Sequence, residues 1–298
     1  MSHCCYKFSR LTAMISLLSF SLLSSSFAQN LKAFRIYDQN GRETGFSEMI
    51  KALGRYDVVL FGEYHNNAII HWLELKTAEG LYEEEGDRLL LGAEMFERDN
   101  QDAVDRYLAD SIDSKTLEKE ARLWPNFKTD YQPLLDFAKE QGLRFVATNI
   151  PRRYAQIVAK NGIDSLSELP DKEKEYIAKL PIKVDMATPG YKEMETLMKD
   201  HAGDKIMNFI SAQAVKDATM AESILDNRKR KDLFLHFNGN YHSKEYGGIY
   251  WYLKAHKKRL KVAVISVGTS GEPGLALPDG FKATEFNIIV PEDMTKTY

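Results

Sequence analysis

Two copies of one short motif, G-x-Y-H, contain the side chains in this sequence that are best suited to chemistry. Gly62–His65 comes at the end of one apolar segment, and Gly239–His242 comes at the end of another. Imidazole side chains can ligate a metal ion or act as general acids and bases. If both apolar segments are strands of one parallel sheet, their carboxyl ends lie together, and the two motifs meet there. We call this end of the sheet the rim.

Polar side chains also end the other predicted strands. Glu94 ends one strand, Asn149 ends another, and Arg152 follows soon after. In the strand before the second motif, His236 and Asn238 share one face and apolar residues share the other. A buried His or Asn costs about 1–3 kcal/mol per unpaired group unless it finds a partner. We therefore predict one site at the rim, formed by Glu63, His65, Glu94, Asn149, Arg152, His236, Asn238 and His242.

Each of these residues also has a structural interpretation. His65 could cap a helix, Arg152 could form an ion pair, and Asn238 could bind a turn. His71 could face the rim from the next helix or pack in the core. Gln213 lies on a polar helix face that could approach the sheet or face solvent. The recurrence of the motif in two equivalent contexts favours a site.

The elements that must position the rim follow from the hydrophobic pattern. Apolar runs of strand length alternate with helical patterns, which indicates a three-layer α/β fold, with a largely parallel central sheet flanked by helices. Residues 165–199, with three prolines and many charges, are predicted to be a helical insertion, or lid, within a single domain of residues 29–298. The predicted strands are 57–62, 88–94, 144–149, 232–238, 261–267 and, at an edge of the sheet, 286–290. The predicted helices are 67–85, 99–110, 114–123, 131–141, 152–160, 205–228 and 248–256.

Composition excludes several classes of protein. The chain has 298 residues, which suits one large domain or two small ones. It carries 40 Lys and Arg against 43 Asp and Glu, a net charge of −3, so it lacks the basic excess that binds a nucleic-acid backbone. It contains no run of 18 strongly apolar residues, which excludes a protein with several membrane spans.

The N-terminus has the form of a signal peptide. A short basic region precedes an apolar stretch, and small residues stand before Gln29, so cleavage is expected after Ala28. We expect residues 1–28 to be removed and the mature protein to be periplasmic, without a membrane span. Cys4 and Cys5 precede the apolar stretch, so no cysteine stands at the cleavage point to carry a lipid. Because the mature chain has no cysteine, any metal must be held by His, Tyr, Met or carboxylate.

The motifs together resemble a known family. They are GEYHNN followed by His71, GAEMFERDNQ, ATNIPRRYA, AQAVKDATMAESI and HFNGNYHS. In this order they resemble the ChaN-like haem-binding uptake family, whose superfamily includes the Tiki/TraB proteins and the erythromycin esterases. The resemblance covers Val58 to Val267. It implies a three-layer α/β fold, export, and a role in haem or iron acquisition.

The resemblance implies haem as the cofactor, held through a tyrosine in a pocket shared by two chains. It therefore also implies a homodimer, with an outer-membrane uptake protein as partner. Ferric haem favours a phenolate ligand, an apolar slot and cations for its propionates. Tyr64 and Tyr241 lie in the matched motifs, whereas Tyr131 and Tyr191 lie in looser regions. The candidate cofactor-binding residues are Tyr64, His65, Tyr241, His242, His71, Asn149, Asn238 and Gln213.

A different activity is implied by the Tiki-like relatives. In these proteins a pair of G-x-x-H motifs and a Glu are proposed to bind a divalent metal for hydrolysis, and the matching residues here are His65, His242 and Glu94. The alternative function is thus a metal-dependent hydrolase of an unknown amide or ester, with a metal such as Zn²⁺. Its catalytic residues would be Glu63, Glu94 and Arg152.

Overall fold

The computed structural model describes residues 31–297, apart from the side chains of residues 199–202 and 204. The predicted signal peptide, residues 1–28, lies outside the described residues. The strands are β1 (Arg35–Asp38), β2 (Glu43–Thr44), β3 (Val58–Glu63), β4 (Leu89–Glu97), β5 (Phe145–Asn149), β6 (Leu233–Gly239), β7 (Val262–Ser270) and β8 (Phe286–Pro291). The α-helices are α1 (Phe46–Leu53), α2 (Ala68–Glu85), α3 (Gln101–Leu108), α4 (Ser114–Glu120), α5 (Gln132–Glu140), α6 (Arg152–Asn161), α7 (Asp171–Lys174), α8 (Pro189–Ala202), α9 (Ile206–Asn227) and α10 (Gly248–His256).

These strands form one mixed sheet in the order β2-β1-β8-β7-β3-β6-β4-β5. The strands from β8 to β5 run parallel, whereas β1 pairs antiparallel with β2 and with β8. Helices α1, α2 and α5 bury apolar side chains on one face of the sheet, and α9 and α10 do so on the other. The predicted three-layer α/β fold is therefore confirmed. Within residues 31–297, none of the helices combines the length and hydropathy needed to cross a membrane.

The strand predicted at 286–290 is internal, and its predicted edge position is wrong. β8 lies between β7 and β1, with Arg35 of β1 opposite Ile289 and Asp38 opposite Phe286. The sequence does not predict the β1–β2 hairpin that covers this edge. Its strands have four and two residues, which is too short for an alternating hydrophobic pattern to stand out.

Residues 165–199 pack against the helical layer of α9 and α10. The backbone amide of Ala178 donates to Thr219 Oγ1 at 3.1 Å, and the Tyr252 hydroxyl donates to the Lys183 carbonyl at 2.7 Å. The segment includes α7 and most of α8, with irregular chain between them. Its role as a lid stays a prediction.

The rim is formed by the carboxyl ends of β3, β6 and β4. In the parallel register Glu63 of β3 lies opposite Gly239 of β6. On the other side of β6, Ala93 of β4 lies opposite Phe237, and Glu94 follows. The register of β4 against β5 shifts between Ala93 and Glu97, and irregularities of this kind are common beside active sites.

Candidate functional site

The two G-x-Y-H motifs interlock through their glycines. A Cβ atom on Gly62 would lie 2.6 Å from Asn240 Oδ1 of the second motif, and one on Gly239 would lie 2.7 Å from His65 Nε2 of the first. The side chain of Asn240 donates to the Val267 carbonyl at 3.1 Å and accepts from its amide at 3.2 Å. Because each glycine faces the other motif, a larger side chain at either position would push the two motifs apart.

Glu94 lies between the two motifs. Its Oε1 is 3.1 Å from His242 Nε2, and its Oε2 accepts the backbone amide of Gly239 at 2.8 Å. The ring of His65 packs against Gly239. Burial lowers the pKa of His65, but the hydrogen bond to Glu63 and the charge of Glu94 outweigh it and raise the pKa above its ordinary value. The structure therefore brings His65 and His242 together beside Glu94.

His242 is buried, and both of its ring nitrogens are paired. Nδ1 contacts Asp217 of α9, and the Gln213 side-chain amide lies 3.0 Å from the same nitrogen. Burial by itself lowers the pKa of His242, but Glu94 and Asp217 outweigh it and raise the pKa to about 10. Burial raises the pKa of Glu94, but His242 more than reverses this and holds it well below its ordinary value. At neutral pH, His242 is therefore an imidazolium held by buried acidic side chains.

Glu63 is the centre of a second buried cluster. Its Oε1 contacts His65 Nδ1 and accepts the Tyr131 hydroxyl at 3.0 Å, while its Oε2 is 3.1 Å from His71 Nδ1. Glu74 Oε2 lies 3.0 Å from the same His71 nitrogen. Burial raises the pKa of Glu63, but hydrogen bonds from His65 and His71 bring it below its ordinary value. Burial lowers the pKa of His71, but Glu63 and Glu74 raise it to about 11.

Other predicted residues at the rim are directed elsewhere. His236 pairs with Asn238 Oδ1 at 3.0 Å and with Thr148 Oγ1 at 2.8 Å, and burial lowers its pKa to about 4. Asn149 accepts the amide of the residue that follows it at 2.9 Å. Arg152 is exposed at the first residue of α6. His236 and Asn238 thus satisfy each other inside the fold and support the geometry of the rim.

The arrangement of these motifs matches a known family. The family described as haem-binding uptake, Tiki superfamily, ChaN matches residues 49–253. The chain belongs to this family. The resemblance predicted from the motifs is thereby confirmed.

The Campylobacter relative of this ChaN-family chain shares its fold. The ChaN protein of Campylobacter jejuni, for which cofacial haem binding is described, has a TM-score of 0.66 at 18% identity, over 87% of this chain and 97% of that one. An erythromycin esterase has a TM-score of 0.42 at 14% identity, over 87% of this chain and 83% of that one. RETICULATA-RELATED 5, a chloroplastic protein of Arabidopsis thaliana, is 31% identical over 100 residues, which span 32% of this chain but only 14% of that relative.

Tyr241 is exposed at the surface of this ChaN-family chain. The residue is 46% exposed, and the other tyrosines within residues 31–297 are buried or half-buried. The hydroxyl donates to Glu193 Oε1 at 3.1 Å, and Lys244 Nζ lies 3.9 Å from the ring centroid. Tyr241 therefore offers a phenol oxygen at the surface of the rim with a cation beside it.

The other candidate tyrosines are held inside the fold. Tyr64 is half-buried and donates to the Val267 carbonyl at 3.3 Å. Tyr131 is buried against Glu63, and Tyr191 is buried with its hydroxyl 2.7 Å from Asp217 Oδ2. Burial raises the pKa of each of these three phenols above its usual value. A raised pKa keeps the phenol protonated, which opposes its use as a phenolate ligand.

The sequence-based site does not include Glu74, Asp130 or Asp217. Asp217 lies one turn after Gln213 on α9, and Glu74 lies three residues after His71 on α2, so each shares a helix face with a predicted residue. Asp130 has no such signal. It comes from the turn before α5, and only the tertiary fold places it 3.4 Å from His71 Nε2.

The site contains ligands for iron or a metal and groups for acid–base chemistry. His65, with 34% of its side chain exposed and Glu63 on Nδ1, has the arrangement of a general base. Within the described residues, Glu63, His71 and Glu74 form the group of three His or acidic side chains whose donor atoms all lie within 4.8 Å of one another. The predicted set of His65, His242 and Glu94 is not among the groups that meet this spacing there.

Proposed function

We propose that this ChaN-family chain binds haem through Tyr241 and acts in haem or iron handling. The exposure of Tyr241 carries the proposal, because haem is too large to reach a phenol inside the fold. Ferric haem iron favours an anionic oxygen ligand. Lys244 places a positive charge over the Tyr241 ring, 3.9 Å from its centroid.

Two exposed apolar side chains lie one helical turn from residues that contact the second motif. Leu197, 61% exposed, follows Glu193 by one turn of α8, and Glu193 accepts the Tyr241 hydroxyl. Phe209, 36% exposed, precedes Gln213 by one turn of α9, and Gln213 contacts the residue after Tyr241. A porphyrin face needs an exposed apolar surface, to which these side chains would contribute.

Haemin titration tests the assignment of Tyr241. Tyr241→Phe should weaken haem binding tenfold or more, about 1.4 kcal/mol, and should remove the absorption bands of tyrosinate-ligated haem. Tyr64→Phe is the matched control, because it removes a phenol from the other motif, and it should change neither. Unchanged haem affinity and spectrum in Tyr241→Phe would exclude Tyr241 as the ligand.

We also propose export and haem-dependent assembly. The signal peptide, residues 1–28, would direct the chain to the periplasm and would then be removed. Mass spectrometry should therefore find Gln29 at the N-terminus. Cofacial binding, as described for the Campylobacter protein, places two haems face to face. For this chain we infer that an outer-membrane uptake protein delivers haem. Haem binding would then bring two chains together as a homodimer. Light scattering with and without haemin should show the change from monomer to dimer.

A metal-dependent hydrolase of an amide or ester is the second candidate function. It is favoured by the position of Glu94 beside two imidazoles. His65, His242 and Glu94 are the residues that would hold a divalent ion such as Zn²⁺, and they would have to come closer together than they lie in this structure to do so. A bound ion would supply Lewis-acid activation of water, and Glu63 would orient His65. Turnover of an ester or amide panel that depends on His65 but not on Tyr241 would support this function. Absence of turnover by the metal-loaded protein would exclude it.

A further inference from the structure

We propose that Glu63, His71 and Glu74 form a binding site for one divalent transition-metal ion, Zn²⁺ or Mn²⁺. Each residue offers one donor atom, and the three atoms lie within 4.8 Å of one another. The site is buried between the end of β3 and the first two turns of α2. It contains none of the residues of the proposed haem surface, and it shares no ligand with the predicted set of His65, His242 and Glu94.

The distances suit ligands of a single ion. His71 Nδ1 is 3.1 Å from Glu63 Oε2 and 3.0 Å from Glu74 Oε2. Bonds of about 2.0–2.2 Å to a central ion place neighbouring ligand atoms about 3.0–3.5 Å apart. The three side chains therefore need little rearrangement to surround an ion.

Carboxylate oxygens at this position are incompletely satisfied. Glu74 Oε1 is buried without a hydrogen bond, and Glu63 Oε2 has His71 Nδ1 at 3.1 Å but no well-directed hydrogen bond. Both residues are at most 1% exposed. Buried acceptors are almost always satisfied, so each exception needs a specific explanation. An ion bound by these oxygens supplies the missing partner.

The surroundings of His71 resemble the outer shell of a metal centre. Its second nitrogen, Nε2, faces Asp130 Oδ2 at 3.4 Å, and that oxygen accepts from Asn126 Nδ2 at 2.6 Å and from Thr297 Oγ1 at 2.9 Å. The Tyr131 hydroxyl holds the other oxygen of Glu63 at 3.0 Å. Metal-ligating histidines commonly direct their free nitrogen at such a carboxylate, which fixes the ring and strengthens the ligand.

The donor atoms and their charges indicate the kind of ion. Glu63, Glu74 and Asp130 surround the imidazole of His71, and Glu63 also contacts His65. An imidazolium would bring one positive charge to these acidic groups, whereas a divalent ion brings two and uses the neutral imidazole as a ligand. One nitrogen with carboxylate oxygens suits Zn²⁺ and Mn²⁺, while Ca²⁺ and Mg²⁺ favour oxygen ligands alone.

The ion would influence the rim through Glu63. One oxygen of Glu63 would ligate the ion, and the other holds His65 and Tyr131. The metal would therefore fix the orientation of His65 without touching it. Glu63 is a positioning residue in this arrangement.

Equilibrium dialysis of the EDTA-stripped full chain against Zn²⁺ and Mn²⁺, followed by elemental analysis, tests the site. We expect one ion per chain. Glu74→Gln keeps the shape of the side chain and should weaken binding by more than the 10- to 100-fold that loss of an outer-shell partner costs. Tyr131→Phe should weaken it within that range. Glu83→Gln, on the exposed face of the same helix, should leave it unchanged.

Two results would overturn the proposal. One is a stripped wild-type chain that takes up no stoichiometric ion, an outcome that does not depend on whether any variant folds. The other is an ion lost in His242→Gln but retained in Glu74→Gln, which would place it beside Glu94. Haemin titration of Glu74→Gln should match the wild type, so failure of the metal site and failure of the haem assignment are separable.

Discussion

Removal of the His242 imidazole should destabilise the folded chain strongly. Because His242 directly follows a strand, the sequence predicts that its replacement lowers the unfolding free energy by no more than about 1 kcal/mol, as is usual outside a packed core. The structure changes this expectation, because His242 is 5% exposed and lies between Glu94 and Asp217. His242→Ala leaves both acidic groups buried without their cation. Breaking a buried pair in this way costs about 3–5 kcal/mol.

The pKa of His242 gives an independent magnitude. Its value is 6.5 in the unfolded chain and about 10 in the fold. At about 1.4 kcal/mol per pH unit, this difference corresponds to roughly 5 kcal/mol of favourable pairing. Because the folded value is the higher one, the contribution is complete below pH 6.5 and is lost as the pH rises through about 10.

Urea unfolding of wild type and His242→Ala, followed by tryptophan fluorescence at several pH values, measures this contribution. The difference in unfolding free energy should be largest at and below about pH 6.5 and should shrink as the pH rises towards 10. His256→Ala, at an exposed helix end, is the control and should stay within about 0.5 kcal/mol. A cost for His242→Ala below about 1 kcal/mol at pH 7, or one independent of pH, would refute the assignment of a buried imidazolium.

Two further substitutions test the packing and the interlocked motifs. Phe237→Ala removes a fully buried ring from a central strand and should cost about 3–5 kcal/mol in urea unfolding; a loss below about 1 kcal/mol would contradict its place in the core. Gly239→Ala places a Cβ 2.7 Å from His65 Nε2 and should cost about 1–3 kcal/mol while shifting the His65 imidazole resonances in NMR spectra. Unchanged resonances would show that the motifs are not in contact.

Much of the fold and part of the site could be predicted from the sequence. Strands such as β3 and β7 are apolar along most of their length because both faces are covered, and this pattern is local. The alternation of strands and helices then requires a parallel sheet with one rim. From that topology the meeting of His65 and His242 beside Glu94 follows without any structure.

The tertiary structure decided how each polar side chain is used. His236 and His242 both belong to the second motif and its strand, yet burial lowers the pKa of one to about 4, while two acidic neighbours raise that of the other to about 10. Asp130 contacts His71 from a separate segment of the chain. Pairing with β1 makes β8 an internal strand and not an edge strand. Hydrophobic periodicity is a property of neighbouring residues and can be read along the chain. The burial of a charge and the partner that compensates it depend on segments far apart in sequence, so only the folded chain determines them.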